Sequence, residues 1–446
     1  MLVRYTRPEM AQLWLREETK YECWLSIEVA FLSARAKHGD IGAEVPDLVM
    51  RNAKIDLTRM KEIEDEVGHD MIAFVKMIQE SLVAAGLGQY KERFHELLTS
   101  YNTEDPAMVL MLRAALDYIL DEMTKLKEAL VARAFEHKHT YMIMRTHGQF
   151  AEPSTFGHLL LVFASALGRS LSRIEHCLET ELIHGNISGA VGSYGEIDPA
   201  LEEAALAEVG LRPARAETQI LQRDRHAEVL SVLAIAASSI EQMMRTFWEM
   251  CRSDVGELQE PRKKKQRGSS AMAHKKNPIG IEQLMGLPRL LRGYAHAAME
   301  NIATPEGRDI SQSSVERHIF PDATSLLHYM AYRATKIVEG LVVFPERMKH
   351  NLMIQTHGTW AGQPVRTALM RAGVDYDTAY EYVQTASFQA IDRGIDLSIC
   401  LSDLPLSEAD ARNGLGILGP EIMAKCFDPA EYVGRGIEHI FSQFTA

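Results

Sequence analysis

The sequence predicts an all-α protein built from long helices. Two stretches place apolar residues at spacings of three and four along one helical face, from Leu112 to Leu130 and from Val229 to Phe247. Small residues such as Ala236 lie on these faces and allow neighbouring helices to approach closely. No stretch shows the sustained alternation and hairpin turns that are typical of strands. Long helices with such faces favour three helical regions, the middle one a long-helix bundle.

The three predicted regions divide near Asp105 and near residue 350. Residues 1–105 form an N-terminal helical domain, residues 106–350 form the central long-helix bundle, and residues 351–446 form a C-terminal helical domain. The last region is expected to have shorter helices, because Gly and Pro clusters interrupt it.

The chain also carries signals for where its long helices begin and bend. Asp105 is a suitable N-cap for the first long helix, and Pro106 is a suitable first residue. Pro288 is expected to bend a later helix. Further helical stretches are expected over about 154–182, 278–301 and 321–342.

Composition excludes several classes of protein. The 446 residues are 46% hydrophobic and 24% charged, which is typical of a globular chain with a large core. A net charge of −13 disfavours nucleic acid as a partner. No uninterrupted apolar run approaches the length of a membrane span, and the first residues do not resemble a signal peptide. The five cysteines form no C-x-x-C pair, which predicts neither a disulfide framework nor a zinc site and favours the cytoplasm.

Residues 268–278 carry the densest set of chemically useful groups. Ser269, Lys275 and Asn277 lie in a segment that glycine enters and that Asn-Pro closes before a helix. Lysine and asparagine can bind carboxylate oxygens, and a serine can lie beside a reacting carbon. The alternative is a Ser-rich linker that caps the next helix. The basic run at 262–265 is either a solvated surface segment or a means of attracting an anionic substrate.

Other candidate groups are scattered along the chain. Histidine is the side chain whose ordinary pKa is nearest neutrality, so His147, between Thr and Gly, could protonate a leaving nitrogen, although it could equally be a surface or capping residue. Two arginines and a hydroxyl at spacings of five and four could hold a phosphate, or the arginines could pair with nearby acids. Arg308, Ser313 and Arg317 are these phosphate candidates. The other candidates are His69, which Asp70 could orient, the Thr99-Ser100 pair, which could hold a carboxylate, and Gln219 in a donor-rich segment before a helix; each could equally be a polar loop or capping residue.

The run at 268–278 resembles the signature loop of the fumarase/aspartase superfamily, GSSxMPxKxNP, with Ala273 in place of the proline. The order of motifs from the N-terminus to about residue 350 is similar to that of the adenylosuccinate lyases within this superfamily. The matching stretches are Arg4-Tyr5, Gly68-His69-Asp70, His95 to Ser100, Arg145 to Gly148, Ala151-Glu152-Pro153, Ile187 to Gly192, Gln222 to His226, Arg308 to Ser311 and Ser313 to Arg317.

The resemblance implies a β-elimination that releases fumarate from an N-substituted aspartate. In this scheme Ser269 is the general base, and Lys275 and Asn277 bind the carboxylate that accumulates charge. His147 protonates the leaving nitrogen, and Glu282 keeps that histidine protonated. His69 completes the acid/base set and also binds a succinyl carboxylate.

The resemblance also implies a small nucleotide substrate. The succinyl carboxylates would lie against His69, Thr99 and Ser100, with Asp70 and Gln219 nearby. The phosphate would be held by Arg4, Tyr5, Arg308, Ser313 and Arg317, with His95 assisting. The family further implies a homotetramer with a twenty-helix core, active sites shared between subunits, and neither a metal nor an organic cofactor.

Departures from the family pattern leave two other functions open. Pro305-Glu306-Gly307 replaces the family's Trp-x-Glu before Arg308, and Tyr101-Asn102 follows Ser100 where bacterial members have Thr/Ser-Asp. The replacement at 305–307 favours a paralogous lyase that acts on a different N-substituted aspartate. The third hypothesis is a non-catalytic helical scaffold, which the intact Ser269, His147 and Lys275 set disfavours.

Overall fold

The structure is a computed structural model, and it describes residues 1–265 and 271–444. Helices dominate these residues, which confirms the predicted all-α class. Within the described ranges the helices are α1 (Pro8–Trp14), α2 (Glu17–Lys37), α3 (Val45–Asn52), α4 (Leu57–Val67), α5 (Asp70–Ala84), α6 (Ser100–Glu136), α7 (Phe156–Thr180), α8 (Pro199–Glu208), α9 (Asp224–Met250), α10 (Ile279–Gly286), α11 (Pro288–Glu300), α12 (Ser311–Gly340), α13 (Pro345–His350), α14 (Gly362–Arg371), α15 (Tyr376–Arg393), α16 (Leu397–Asp403), α17 (Gly414–Cys426) and α18 (Pro429–Ser442).

Three short two-stranded sheets accompany the helices of the described residues. They are β1 (Tyr141–Thr146) with β2 (Gln149–Thr155), antiparallel; β3 (His184–Gly185) with β4 (Arg212–Pro213), parallel; and β5 (Leu258–Gln259) with β6 (Val342–Val343), antiparallel. The β1/β2 hairpin was not expected from the sequence. A register shift between Ile143 and Arg145 interrupts the pairing, and the adjacent residues Met142 and Ile143 are both buried. Alternation of apolar and polar residues is therefore lost in β1.

Several predicted helix boundaries differ from those observed. The long helix α6 begins at Ser100, so Asp105 is not its N-cap and Pro106 lies inside it. The bend predicted at Pro288 is instead a break between two helices: α10 ends before Pro288, and α11 begins at it. Helix α12 begins at Ser311, earlier than expected, and Pro321 lies within it.

The chain divides into two compact units, each assembled from three segments. Unit 1 comprises Met1–Lys125, Leu167–Glu241 and Leu284–Arg333, and unit 2 comprises Leu126–Ala166, Gln242–Gln283 and Ala334–Ala446. This division differs from the three regions expected from the sequence, which remain a proposal.

In unit 1 the apolar faces of the long helices form the core. The predicted stripes of α6 and α9 are almost fully buried, which agrees with the spacing of three and four, and apolar residues of α12 are buried as well. The buried residues include Leu112, Leu116 and Ile119 of α6, Leu230, Leu233 and Ala236 of α9, and Phe320, Leu327 and Met330 of α12.

In unit 2 the C-terminal helices have a core of their own. Val365, Leu369, Tyr382, Leu397 and Leu401, from α14, α15 and α16, are buried in one cluster. A smaller cluster places Ile143 of β1 against Leu352, Trp360 and Ala361, so the hairpin rests on apolar side chains.

Helix α9 is also apolar enough to be compared with a membrane span. Among the described residues it is the one helix long and apolar enough to cross a membrane, judged by length and composition alone. A core helix passes the same test, and 61% of its most apolar window is buried inside the protein. The length and composition of α9 are therefore weak evidence for a span.

A buried group of charges joins three elements of unit 1. The guanidinium of Arg223, just before α9, donates to both carboxylate oxygens of Asp105 on α6 at 2.9 Å. It also donates to Glu316 on α12 at 2.9 Å. Asp105 accepts a further hydrogen bond from the backbone N–H of Leu221 at 2.7 Å. Burial raises the pKa of Glu316 to about 7, although the charge of Arg223 acts to lower it. We call Arg223, Asp105 and Glu316 the buried triad.

Loss of Arg223 should strongly destabilise the protein. Arg223→Met leaves two carboxylates buried without their counter-charge, so we expect a loss of about 3–5 kcal/mol, read as a lower midpoint of urea unfolding. Arg59→Met is the matched control, because Arg59 pairs with Glu80 on an exposed surface, where an ion pair contributes little to stability. Its unfolding midpoint should stay close to that of the wild type. Equal midpoints for the two variants would contradict the structural importance of the triad.

Candidate active site

The start of α6 gathers four of the predicted substrate-binding residues. Arg308 donates to the Ser100 hydroxyl at 3.2 Å and hydrogen-bonds the side-chain oxygen of Gln219. The Gln219 amide nitrogen in turn donates to the Thr99 hydroxyl at 3.4 Å. We call Thr99, Ser100, Gln219 and Arg308 the polar cluster. It lies at the N-terminus of a helix, where free backbone N–H groups and the helix dipole favour an anion.

A second group of predicted residues is organised by Asp70, the first residue of α5. Its carboxylate accepts a hydrogen bond from Arg317 at 2.8 Å and lies 3.6 Å from the ammonium of Lys20. His69 occupies the N-cap position of α5, and its imidazole lies 3.7 Å from the same carboxylate. Burial acts to raise the pKa of Asp70, but the charges of Lys20 and Arg317 lower it overall. Asp70 is therefore held as an anion between two cations.

Glu104 is a titratable group near this pair that the sequence did not reveal. Burial, and then the negative charge of Asp70, raise the pKa of Glu104 to about 7, against the opposing charge of Lys20. A carboxyl group with this pKa changes its charge near neutral pH. No local sequence signal predicts this, because the neighbouring charges come from other helices.

His95 is held by a buried carboxylate that the sequence analysis also missed. Its Nδ1 lies 2.7 Å from an oxygen of Glu28 on α2, and that same oxygen accepts from the Thr103 hydroxyl at 2.6 Å. Glu28 is only 1% exposed. Burial lowers the pKa of His95, but the charge of Glu28, the hydrogen bond with Glu28 and the charge of Glu104 together outweigh it, so the net pKa is raised. The imidazolium form of His95 is therefore favoured, which suits an anion-binding role.

Arg4 and Tyr5 lie in a 3-10 turn at Val3–Tyr5. The ring of Tyr5 packs edge-on against Tyr329, with the ring centres 5.3 Å apart. In the residues that the structure describes, no hydrogen bond or ion pair engages the exposed Arg4 guanidinium. Within one chain these two residues are thus not tied to the polar cluster.

In unit 2, His147 lies in the two-residue turn of the β1/β2 hairpin. His147 and Gly148 have φ values of 55° and 75°, as in the tight turns that suit twisted strands. The hairpin is anchored by Arg145, which donates to the fully buried Glu257 at 3.2 Å. Asn351 donates to the same carboxylate at 2.8 Å. The exposed imidazole of His147 is therefore carried by a rigid, anchored turn.

The remaining predicted catalytic residues lie in and before α10. Lys275 is exposed, and Asn277 is partly buried just before the helix. The N-terminus of α10 is capped by Glu260, whose carboxylate accepts from the backbone N–H groups of Gly280 and Ile281 at 3.2 and 2.9 Å. Ser269, the predicted base, lies outside the described residues.

Glu282, predicted to keep His147 protonated, instead accepts a hydrogen bond from the indole of Trp248 at 3.3 Å. No ion pair within 4 Å joins it to His147 in the described ranges. The proposed partnership of Glu282 and His147 is thus not made within one chain.

A cavity of about 680 Å³ lies beside the hairpin in unit 2. Its lining includes Arg145, Gly148, Phe150, Arg252 and Gln355. His147, Lys275 and Glu282 do not line it, so this cavity does not coincide with the predicted catalytic groups. Across the residues described, no group of three or more His, Cys, Asp or Glu side chains is placed to hold a metal ion.

The predicted site residues therefore divide between the units. Unit 1 contains the residues expected to bind carboxylates and phosphate, including His69, except Lys275 and Asn277. Unit 2 contains His147, Lys275, Asn277 and Glu282.

Comparison with known proteins confirms the resemblance seen in the motifs. Residues 28–293 match the model of a family described as lyase. The chain is 38% identical over 443 residues to the adenylosuccinate lyase of Bacillus subtilis, covering 99% of each chain. It is 40% identical over 444 residues to the adenylosuccinate lyase of Synechocystis, again covering 99% of each, and 39% identical over 445 residues to that of Thermotoga maritima, covering 100% of this chain and 99% of the other.

Solved structures show the same fold. The fumarate lyase from Mesorhizobium superposes with a TM-score of 0.86 at 23% identity, covering 99% of each chain. The 3-carboxy-cis,cis-muconate lactonizing enzyme from Pseudomonas putida superposes with a TM-score of 0.86 at 25% identity, covering 99% of this chain and 98% of the other.

Replacing Glu28 should lower the pKa of His95. Glu28→Gln removes the charge that favours the imidazolium, and NMR titration of ¹³C-labelled histidine measures the shift. In the native protein the raised pKa stabilises the fold fully below the unfolded value of about 6.5, and this contribution is lost as the pH rises through the folded pKa. The variant should show a weaker pH dependence of unfolding in that window.

Thr103→Val is the control for this variant. It removes a hydrogen bond to the same Glu28 oxygen but keeps the carboxylate charge, so the pKa of His95 should stay raised. An unchanged His95 pKa in Glu28→Gln would show that Glu28 does not set its charge.

Proposed function

This chain belongs to the lyase family and, within it, to the adenylosuccinate lyases, and from that premise we propose that it cleaves adenylosuccinate to AMP and fumarate. The same carbon–nitrogen cleavage would apply to the succinylo-aminoimidazole carboxamide ribotide of purine nucleotide synthesis. The observation that carries this proposal is the polar cluster at the start of α6. The Arg308 guanidinium hydrogen-bonds the Ser100 hydroxyl and the Gln219 amide, and Gln219 in turn hydrogen-bonds the Thr99 hydroxyl.

The chemistry is a β-elimination with four linked changes. Ser269 takes the proton from the carbon beta to the leaving nitrogen, the carbon–nitrogen bond breaks, the fumarate double bond forms, and His147 donates a proton to the departing nitrogen. Lys275 and Asn277 stabilise the carboxylate that carries negative charge in the intermediate. Glu282 favours the protonated form of His147.

Substrate binding is assigned to unit 1. The succinyl carboxylates bind His69, Thr99 and Ser100, with Asp70 fixing His69 and Gln219 completing the pocket. The phosphate binds to cationic and hydroxyl side chains that are far apart in the sequence: Arg4, Tyr5, Arg308, Ser313, Arg317 and His95.

We further propose a homotetramer in which three subunits contribute to each site around a twenty-helix core. Support comes from Glu282 and His147, which do not pair within one chain, and from large apolar side chains that are exposed on the long helices. These include Tyr118, Phe135, Val162 and Ile235. All five cysteines are free thiols, which supports a cytoplasmic location.

The function is tested by incubating purified protein with adenylosuccinate and measuring fumarate and AMP, with Ser269→Ala as the blank. Equal amounts of fumarate and AMP from the wild type support the proposal. A folded wild-type protein that releases no fumarate would overturn it and would favour a different N-substituted aspartate, with Pro305-Glu306-Gly307 as the altered part of the pocket.

Ser269→Ala should reduce kcat by about 10²–10⁴-fold, the usual loss for a proton-transfer group, while the fold is retained. Ser270→Ala is the matched control, because it removes the neighbouring hydroxyl and should cost much less. If Ser269→Ala leaves kcat near the wild-type value, Ser269 is not the base.

Arg317→Ala should raise KM more than it lowers kcat. Phosphate is bound equally in the ground state and the transition state, so its anchoring is uniform binding. Loss of a charge-assisted hydrogen bond predicts a rise in KM of about 10- to 100-fold. Arg51→Ala, which removes an exposed arginine paired with Asp47, is the control and should leave KM unchanged. An unchanged KM for Arg317→Ala would remove that residue from the phosphate site.

A further inference from the structure

Tyr101 lies directly after Ser100 in the first turn of α6, and its side chain is buried, with 4% exposure. The face of its ring lies under the Arg308 guanidinium, whose central carbon is 4.2 Å from the ring centre. The guanidinium of Arg223, the centre of the buried triad, lies 5.9 Å from the same ring. Tyr101 therefore lies between a structural arginine and one expected to bind phosphate.

The hydroxyl of Tyr101 engages the start of α12. It accepts a hydrogen bond from the Gln312 amide at 3.4 Å and is in hydrogen-bonding contact with the Ser313 side chain. Burial, and then the charge of Glu104, raise the pKa of Tyr101 to about 12, so the phenol is neutral at physiological pH. One side chain thus touches Arg308 with its ring and Ser313 with its hydroxyl.

The way in which Arg308 is held differs from that of Arg223 and Arg317. Arg223 is neutralised by two carboxylates, and Arg317 pairs with Asp70. Arg308 has no ion-pair partner within 4 Å among the described residues. Its contacts include the Tyr101 ring and the neutral oxygens of Ser100 and Gln219, and its Nε donates to the backbone carbonyl of Asp309 at 3.3 Å. An aromatic face orients a cation without cancelling its charge, so Arg308 remains able to bind an anion.

We propose that Tyr101 is a positioning residue that orients Arg308 and Ser313 for the phosphate of the substrate. The proposal rests on the function proposed above. Tyr101 is too buried to touch the substrate itself, so its effect passes through Arg308. Pro305, Glu306 and Gly307, just before Arg308, bring no aromatic ring, so in this chain the ring comes from α6.

The test compares Tyr101→Leu, which removes the ring, with Tyr101→Phe, which keeps it. Tyr101→Leu should raise the KM for adenylosuccinate by about 3- to 30-fold, the range of a desolvated cation–π contact, with kcat within about threefold of wild type. Tyr101→Phe should restore most of the affinity, leaving KM raised by about two- to threefold through the lost contact with Ser313.

A double-mutant cycle separates positioning from general damage. Arg308→Lys should weaken AMP binding clearly in the wild-type background and much less in Tyr101→Leu. In Tyr101→Leu the guanidinium of Arg308 is no longer oriented by the ring, so replacing it loses less binding energy. If Tyr101→Leu does not fold, Tyr101→Met replaces it, since the flexible methionine side chain fills a similar space without an aromatic face.

Calorimetric binding of AMP keeps this test distinct from that of the proposed function. If the wild-type protein binds AMP but releases no fumarate, the proposed cleavage reaction is refuted. The AMP affinities of the Tyr101 variants then still test the role of Tyr101. Weaker AMP binding by Tyr101→Leu than by Tyr101→Phe supports the proposal. Three results would overturn it. They are a folded Tyr101→Leu protein with the KM and AMP affinity of the wild type, equal losses of affinity in Tyr101→Leu and Tyr101→Phe, and a wild-type protein that does not bind AMP.

Discussion

The packing of unit 1 depends on one buried arginine. Arg223 shares its positive charge between Asp105 and Glu316, and loss of Arg223 leaves these two carboxyl groups buried without their counter-charge. Helix α6, the segment leading into α9 and helix α12 are thereby held in one arrangement. The ends of these same elements carry the polar cluster of Thr99, Ser100, Gln219 and Arg308.

The charges around this triad differ in how far they are compensated. Arg223 is neutralised and structural, whereas Arg317 shares Asp70 with Lys20, and Arg308 rests on an aromatic ring and neutral oxygens. Because the chain carries a net charge of −13, binding of an anionic substrate requires such local positive charge. Glu104, with a pKa of about 7 close to Asp70, makes this charge depend on pH near neutrality.

The sequence predicted the helical class, the long apolar faces and the family, because these follow from local periodicity and from contiguous motifs. It did not predict the start of α6. Asp105-Pro106 is a strong local signal for a helix start, but Asp105 is instead committed to Arg223. The β1/β2 hairpin was missed because a register shift removes its alternation. Glu28 and the contact of Tyr101 with Arg308 were missed because the partners, His95 and Arg308, lie far along the chain and only folding brings them together.

The most direct test of this account is a crystal structure of the Ser269→Ala protein with adenylosuccinate bound. The account predicts the phosphate within hydrogen-bonding distance of Arg308 and Ser313, and a succinyl carboxylate against Thr99 and Ser100. Because the substitution removes the base and none of these groups, the substrate should remain intact. A nucleotide bound elsewhere, with neither its phosphate nor its carboxylates in contact with the polar cluster, would contradict the account.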